Sequence, residues 1–288
     1  MIEGVPCGVR VEITAALGSS PREAGAVMLV RAADSEGSIG GGALEHAAIA
    51  RARELLGLWQ RDHAAGDAVV ETRALGPALG QCCGGVVTLG YRPWYRAALP
   101  PPAPLFHLQL HGAGHVGRAL VRVLAGLPCR IDWIDCRAAA FPPVTAGAAL
   151  IRPVVTGRAA DEVGAAPPGS LFLIMTHSHA LDMAIAGAAL RRGDARYVGL
   201  IGSATKRARF EHRWRCQGLS EAAMARLTCP IGIAGIAGKQ PAVVALAVAA
   251  QLVQVAGCGG LAAAGPVAAP DCECAPCATP CFAEGGVR

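Results

Sequence analysis

The amino-acid sequence predicts an α/β protein in which a smaller N-terminal α+β domain precedes a C-terminal Rossmann-like domain with a doubly wound parallel sheet. Three observations support this prediction. Apolar strand-like runs alternate with helical stretches over residues 106–256, which is typical of a parallel sheet covered on both faces. A glycine-rich turn joins the first of these strands to its helix. A proline-rich segment, residues 93–105, separates this region from residues 1–92.

The N-terminal domain is predicted from four strand-like runs and one helix. GVRVEITAAL and AGAVMLVRAA are apolar or β-branched, and the turn cluster GSSPRE separates them. Good helix formers, with apolar residues at intervals of three and four, predict a helix over Ala43–Trp59. AVVETRAL and GVVTLGY predict two more strands, one on each side of the sequence CCGG. Together these elements indicate a small α+β layer.

The linker and the C-terminal domain have different patterns. Five of the thirteen residues 93–105 are proline, which is typical of a semi-rigid spacer. After it, the runs FHLQLH, CRIDWIDCR, LFLIMTHSH and YVGLIG predict strands, and helical stretches follow them, ending with QPAVVALAVAAQLVQVAG. Residues 257–288 form a cysteine-rich tail without periodicity, which we expect to be flexible.

Composition excludes several classes of protein. Hydrophobic residues make up 53% of the 288 residues and charged residues 16%, so we expect a folded core. The net charge of +5 comes without a lysine-rich run, which gives no indication of nucleic-acid binding. No apolar window predicts a membrane span, and no signal peptide is evident. The 12 cysteines are expected to be reduced thiols, which favours a cytoplasmic protein.

The turn HGAGHVGRAL has the spacing of a dinucleotide-binding loop. Gly112, Gly114 and Gly117 lie between an apolar strand and a helix, and Asp135 ends the next strand. Such glycines allow a phosphate to approach the helix N-terminus, and a carboxylate at the Asp135 position accepts hydrogen bonds from ribose hydroxyls. The alternative is a Rossmann-like scaffold in which the turn only packs the helix against the strand.

Two histidines follow a later strand, in the sequence MTHSHALD. His177 and His179 are expected on an extended segment with both rings on one side, a spacing that metal sites use, and Asp182 lies nearby. Contact with a ligand or a proton and purely local bonding are the alternatives. Asp182 is also expected in the first turn of a helix, where a carboxylate is stabilising.

The sequence GLIGSATKRARFEHR places cations at the start of a helix. Ser203 or Thr205 is expected to cap this helix, and Lys206, Arg207 and Arg209 follow. Cations oppose the helix dipole at this end, so a bound oxyanion would relieve the conflict. The alternative is a solvated basic face.

Cysteines occur in two unusual settings. Cys82 and Cys83 precede two glycines in LGQCCGG, which suggests an exposed thiol on a tight loop; two small apolar residues in a turn are the alternative. The tail contains the sequence C-x-C-x2-C-x3-C, whose four thiols resemble a metal-binding cluster but match no zinc or ferredoxin spacing. These tail residues are Cys272, Cys274, Cys277 and Cys281.

Several motifs, taken in order, resemble the XdhC family of accessory proteins of xanthine dehydrogenase and related molybdenum hydroxylases. They are LGSSPREAGAVMLV, GSIGGGALE, LGPALGQCCGG, HGAGHVGRAL, THSHALD, GLIGSATKRARFEHR and CPIGIAGIAGKQPA, and they span residues 9–256. The tail is not part of this resemblance. The resemblance implies an N-terminal XdhC/CoxI-type domain followed by a Rossmann domain.

The resemblance also implies a function in purine catabolism as an accessory protein rather than as an enzyme. Such proteins bind the molybdopterin form of the molybdenum cofactor as cargo and hold it while a cysteine desulfurase supplies sulfur. They then deliver it to the apo-xanthine dehydrogenase molybdenum subunit. A homodimer is a further expectation.

On this hypothesis the cofactor contacts the glycine turn, His177, His179, Lys206 and Arg207. Asp135 and Glu45 bond to the pterin, Arg22 meets a phosphate or an acidic partner, and Cys82 or Cys83 contacts molybdenum transiently or relays sulfur. Helix capping and a surface charge are the alternatives for Glu45 and Arg22. Two competing hypotheses are an NAD(P)-dependent oxidoreductase using the glycine turn and a metal-dependent hydrolase using His177 and His179.

Overall fold

The chain divides into two units, each built around one β-sheet: Met1–Pro101 and Pro102–Arg288. A computed structural model describes residues 5–61, 67–76, 84–143 and 147–257. Cys82, Cys83 and the tail cysteines lie outside these residues, so the predictions made for them stay predictions.

The N-terminal unit is an antiparallel sheet with one long helix. Its elements are β1 (Gly8–Leu17), β2 (Val27–Val30), β3 (Ser35–Gly37), α1 (Gly42–Arg61), β4 (Val69–Ala74) and β5 (Val86–Trp94). The strands lie in the order β3-β2-β1-β5-β4, and each adjacent pair is antiparallel. The four predicted strands and the helix are present, and β3 is an additional short strand.

The core of this unit lies between α1 and one face of the sheet. Val9, Val11 and Ile13 alternate along β1 and are fully buried, as expected for a sheet with one face against a core. The buried residues of α1 recur at helical spacing and join the same core; they are Leu44, Ala48, Ala52, Leu55, Leu56 and Trp59. The amphipathic pattern of α1 therefore positions it on the sheet.

Strand β5 extends two residues into the predicted linker, to Trp94. Pro93 pairs with Val9 of β1, although proline is rare inside sheets. Pairing between β4 and β5 stops at Tyr91, opposite Val69. Beyond that point the described residues give β5 one neighbour, β1, so Pro93 lies in an edge segment, where proline is tolerated.

The C-terminal unit alternates strands and helices. Its elements are β6 (His107–His111), α2 (His115–Leu124), β7 (Arg130–Asp135), β8 (Leu150–Val155), β9 (Leu171–Ile174), α3 (His179–Arg192), β10 (Tyr197–Leu200), α4 (Ala204–Cys216), α5 (Glu221–Ala225), β11 (Leu227–Thr228) and α6 (Pro241–Gly257). Two short 3-10 helices, Ala138–Ala140 and Asp161–Ala165, connect strands. The strand order is β11-β10-β9-β6-β7-β8, with every adjacent pair parallel.

This order is that of a doubly wound Rossmann sheet, and it confirms the predicted fold class. Helices α2 and α6 pack together on one face, and α3, α4 and α5 cover the other. The direction of winding reverses between β6 and β9, which are adjacent in the sheet. Ligands of such sheets bind at the carboxyl ends of the strands, near this reversal.

The sequence patterns did not predict β8, α5 or β11. Strand β8 contains Pro153 and lies at an edge of the sheet, where proline is tolerated because one side of the strand makes no hydrogen bonds. Strand β11 has only two residues and forms the opposite edge. Elements this short or interrupted have no periodicity to detect.

Candidate functional site

The glycine turn follows β6 at the reversal point, and two of its glycines are required by backbone packing. Gly112 has a φ of +117°, and a Cβ there would collide with the carbonyl oxygen of Met175, just beyond β9. A Cβ on Gly117 would collide with the carbonyl oxygen of Gly112. Both positions exclude larger side chains, because the helix and the neighbouring strand approach the turn closely.

Gly114 differs from these two glycines. It is the N-cap residue of α2 and has no side-chain cap, and a Cβ there would have no heavy atom within 4 Å. The space beside Gly114 and the uncapped start of α2 are compatible with an anion approaching the turn. The predicted contact between the turn and a ligand stays a prediction.

Asp135 ends β7, as predicted, but its carboxylate bonds within the chain. Oδ2 accepts hydrogen bonds from the Ala113 amide (2.7 Å) and from Arg137 Nη2 (2.9 Å). Oδ1 accepts from the Arg137 amide (3.0 Å) and Arg137 Nε (2.9 Å). Burial raises the pKa of the Asp135 carboxyl, but the Arg137 guanidinium and the two amides outweigh burial and hold the pKa well below its ordinary value.

The Asp135 carboxylate therefore holds the glycine turn in position through the hydrogen bond from the Ala113 amide. A pterin or a ribose at this carboxylate would have to compete with four internal hydrogen bonds. The predicted contact with a ligand therefore stays a prediction, and the arrangement does not favour the ribose contact on which the NAD(P) hypothesis depends.

A buried polar pair lies on β6 directly before the turn. His111 is fully buried, and its Nε2 lies 3.2 Å from Oε1 of Gln109. Gln109 Nε2 donates to the carbonyl oxygen of Glu162 (2.7 Å). The Nδ1 atom of His111 has no hydrogen-bond partner among the described residues. Burial lowers the pKa of His111 to about 3, so this imidazole is neutral near pH 7.

A buried ion pair joins the segments that follow β9 and β10. Asp182, in the first turn of α3 as predicted, is fully buried. Its Oδ1 accepts from the amide (2.9 Å) and the hydroxyl (2.7 Å) of Thr176. Its Oδ2 accepts from Lys206 Nζ at 2.6 Å, and Lys206 also donates to the Ile201 carbonyl (2.8 Å). These contacts fix the start of α3 relative to the start of α4.

The two histidines of MTHSHALD lie on different elements. Ser178 is the N-cap of α3, and its hydroxyl accepts from the Leu181 amide. His179 is therefore the first residue of the helix, so the expectation of a shared extended segment with His177 is wrong. Both side chains are exposed. Among the described residues, no group of three or more His, Cys, Asp or Glu side chains is arranged to hold a metal ion.

A cleft of about 370 Å³ lies between the start of α3 and one side of α4. Among the residues that the structure describes, its lining contains several cations and no carboxylate; the lining residues are His179, Ala180, Ser203, Thr205, Lys206, Arg209, Phe210 and Arg213. Ser203 is the N-cap of α4, as predicted, and its hydroxyl accepts from the Lys206 amide. We take this cleft, at the carboxyl edge of the sheet, as the candidate binding site.

The predicted cations Lys206, Arg207 and Arg209 differ in their bonding. Lys206 lines the cleft and is bonded to Asp182, whereas Arg207 Nε bonds to Glu211 at 2.6 Å. Arg209 lines the cleft, and so does Arg213. Arg213 and Thr176 were missed by sequence reasoning. The spacing of four residues between Arg209 and Arg213, which places them on one side of a helix, was the available signal for Arg213.

Glu45 of the N-terminal unit is also occupied within the chain. Its Oε2 accepts from the Ser38 hydroxyl (2.6 Å) and from the amides of Ile39 (3.0 Å) and Gly41 (3.1 Å). Burial raises the pKa of the Glu45 carboxyl, but these hydrogen bonds together lower it below its ordinary value. The predicted contact with a pterin stays a prediction. Arg22 is exposed and lies 3.6 Å from Glu23.

The doubly wound sheet with a glycine turn at its reversal point defines a Rossmann-like protein. Residues 108–252 match the family described as the XdhC Rossmann domain, and residues 4–61 match the XdhC and CoxI family. The chain therefore belongs to the XdhC family, which confirms the resemblance found in the sequence.

One relative and one solved structure illustrate these similarities. The chain is 31% identical over 268 residues to the uncharacterized protein YqeB of Escherichia coli strain K12, covering 85% of this chain but 42% of that protein. It therefore spans less than half the length of this relative. A crystal structure described as a xanthine dehydrogenase from Bacillus halodurans matches with a TM-score of 0.68. That match covers 88% of this chain and 92% of the other at 19% identity, so it shows the fold alone.

Among the described residues, no helix has the combination of length and apolar character needed to cross a bilayer.

Proposed function

We propose that this protein is a carrier of the molybdenum cofactor. It binds the molybdopterin form as cargo, holds it while a cysteine desulfurase replaces an oxo ligand by a sulfido ligand, and delivers it to apo-xanthine dehydrogenase or a related hydroxylase. Family membership supports the connection with xanthine dehydrogenase. The observation that carries the binding step is the cation-lined cleft at the carboxyl edge of the parallel sheet.

The edge of the sheet has the features that this cargo requires. Molybdopterin is anionic because of its terminal phosphate, and the cleft has cationic side chains without a carboxylate in its lining. The pterin also needs hydrogen-bonding groups, and the exposed His177 and His179 follow the same strand. Asp135 holds the glycine turn in position, and the Asp182–Lys206 ion pair holds the starts of α3 and α4 together. Neither contact occupies the cleft. A rigid, preorganised site limits the entropy lost on binding.

Transfer to a client enzyme tests this proposal. Purified protein is loaded with molybdopterin cofactor, separated from unbound cofactor and mixed with cofactor-free xanthine dehydrogenase. We expect more recovered hydroxylase activity than an equal amount of free cofactor gives, and a further increase when a cysteine desulfurase and cysteine are present during loading. Activation no greater than with free cofactor, in both conditions, would contradict the proposal.

The two thiols of the LGQCCGG sequence belong to the same proposal. A soft thiolate is a suitable transient ligand for molybdenum, so Cys82→Ser or Cys83→Ser is expected to reduce the molybdenum retained by the protein. Cys216→Ser is the matched control, because Cys216 is exposed at the end of α4. Retention by both variants equal to that of the control would remove the thiols from the proposal.

A further inference from the structure

The arginines of α4 fall into two classes. Arg207 pairs with Glu211, and Arg215 Nε pairs with Glu221 at 2.6 Å. Arg209 and Arg213 form no ion pair or side-chain hydrogen bond with any residue that the structure describes. The two arginines without an internal partner are the two that line the cleft. This division leaves two guanidinium groups at one place on the surface for an external anion.

The positions of these two groups suit a single small anion. Residues four apart on a helix lie one turn apart on the same side, so Arg209 and Arg213 both face the cleft. Guanidinium groups offer planar pairs of N–H donors that match the oxygens of phosphate. The nearby carboxylate, Asp182, is fully buried and bonded to Lys206, so it neither lines the cleft nor repels an anion there.

The remainder of the cleft adds neutral donors and space. The hydroxyl oxygen of Ser203 accepts a hydrogen bond from the Lys206 amide, which leaves its hydrogen available for a ligand, and Thr205 adds a second hydroxyl. The volume of about 370 Å³ lies within the range of about 300–1,000 Å³ that is usual for small-molecule sites. Ala180 and Phe210 contribute apolar lining. The cleft therefore suits a molecule larger than a free inorganic ion.

We infer that this cleft binds the phosphomonoester group of a nucleotide-sized small molecule through Arg209 and Arg213. The molybdenum cofactor with its terminal phosphate and a free nucleotide are two sources of the same chemistry. The inference deepens the proposed function if the cofactor is the source, but it does not depend on the carrier role. It assigns Lys206 to positioning, because its ammonium group is bonded to Asp182.

Calorimetric titration of the full-length protein tests the inference, with AMP as the probe and adenosine as the phosphate-free comparison. We expect saturable binding of AMP that weakens as salt is added, and no binding of adenosine. R209Q and R213Q together should weaken AMP binding about tenfold or more, since each removes charge-assisted hydrogen bonds. R215Q removes one positive charge on α4 outside the cleft and should change the affinity less than about twofold.

Two outcomes would overturn the inference: no saturable AMP binding up to millimolar concentration, or unchanged affinity in the R209Q/R213Q variant. Circular dichroism checks that the variants are folded, which is expected because both arginines are exposed. Molybdopterin that displaces AMP would identify the cofactor as the source of the phosphate, and a lack of displacement would identify a free nucleotide. A protein that binds AMP in the cleft but retains no molybdopterin would contradict the carrier proposal while supporting this inference.

Discussion

The C-terminal unit is expected to lose stability as the pH falls, because it contains one buried histidine, His111. This imidazole has no solvent exposure and is neutral in the folded protein, because burial lowers its pKa to about 3. In the unfolded chain it titrates near the ordinary histidine value of about 6.5. Below that pH the unfolded state binds a proton that the folded state excludes, so stability is present above about pH 6.5 and is lost as the pH falls towards 3.

The size of the effect follows from the difference between these values. Each pH unit below the unfolded pKa costs about 1.4 kcal/mol until the folded pKa is reached. Between pH 7.5 and pH 5.0 the unfolded chain titrates over about 1.5 units, so the contribution of His111 is about 2 kcal/mol. A change of this size is a large part of the stability of an ordinary domain.

Urea unfolding of the wild type and of His111→Asn at several pH values measures this contribution. The substitution leaves a small cavity, but the cost of that cavity is the same at every pH, so the readout is the pH dependence. The variant should lose about 2 kcal/mol less than the wild type between pH 7.5 and pH 5.0. His212→Asn changes an exposed histidine of α4 and should keep the wild-type dependence. Equal dependence in all three proteins would refute the assignment of the proton to His111.

Two further sets of variants test how the site is held together. Asp182→Asn leaves the Lys206 ammonium group buried without a counter-charge and should cost about 3–5 kcal/mol in urea unfolding. The double change Asp182→Asn with Lys206→Met keeps an oxygen acceptor for Thr176 and should recover most of this loss, and no recovery would contradict the ion-pair explanation. Gly112→Ala places a Cβ against the Met175 carbonyl at a φ of +117° and should lower the melting temperature clearly. The Cβ of Gly114→Ala meets open space, so this variant should lose only about 1 kcal/mol or less of the free energy of unfolding. Equal losses at the two glycines would show that the turn is not tightly packed.

The Rossmann-like architecture could be predicted because strands and helices alternate in long, strongly apolar segments. The failures are local and have physical causes. Strand β8 carries Pro153 and is tolerated only as an edge. The sequence also gave no prediction for Gln109 and His111, two polar residues that are buried on the central strand β6. The hydrogen bond between these two side chains replaces hydrogen bonds to water, and no sequence pattern indicates that they pair.

The sequence predicted a cluster of cations at the start of α4, formed by Lys206, Arg207 and Arg209. It did not predict which of these cations pair within the chain. Asp182 lies 24 residues before Lys206, and only the fold brings the two together. Lys206 and Arg207 are paired with Asp182 and Glu211. The arginines that line the cleft are Arg209 and Arg213. Which cations face a ligand is therefore decided by tertiary pairing.

The proposed carrier role is tested by the molybdenum and pterin that remain bound to the protein after free cofactor is removed. Purified protein is incubated with molybdopterin cofactor and passed through a size-exclusion column, and molybdenum and pterin are measured in the protein peak. We expect both to elute with the protein in equal amounts, close to one of each per binding site. Protein that elutes without either would contradict it.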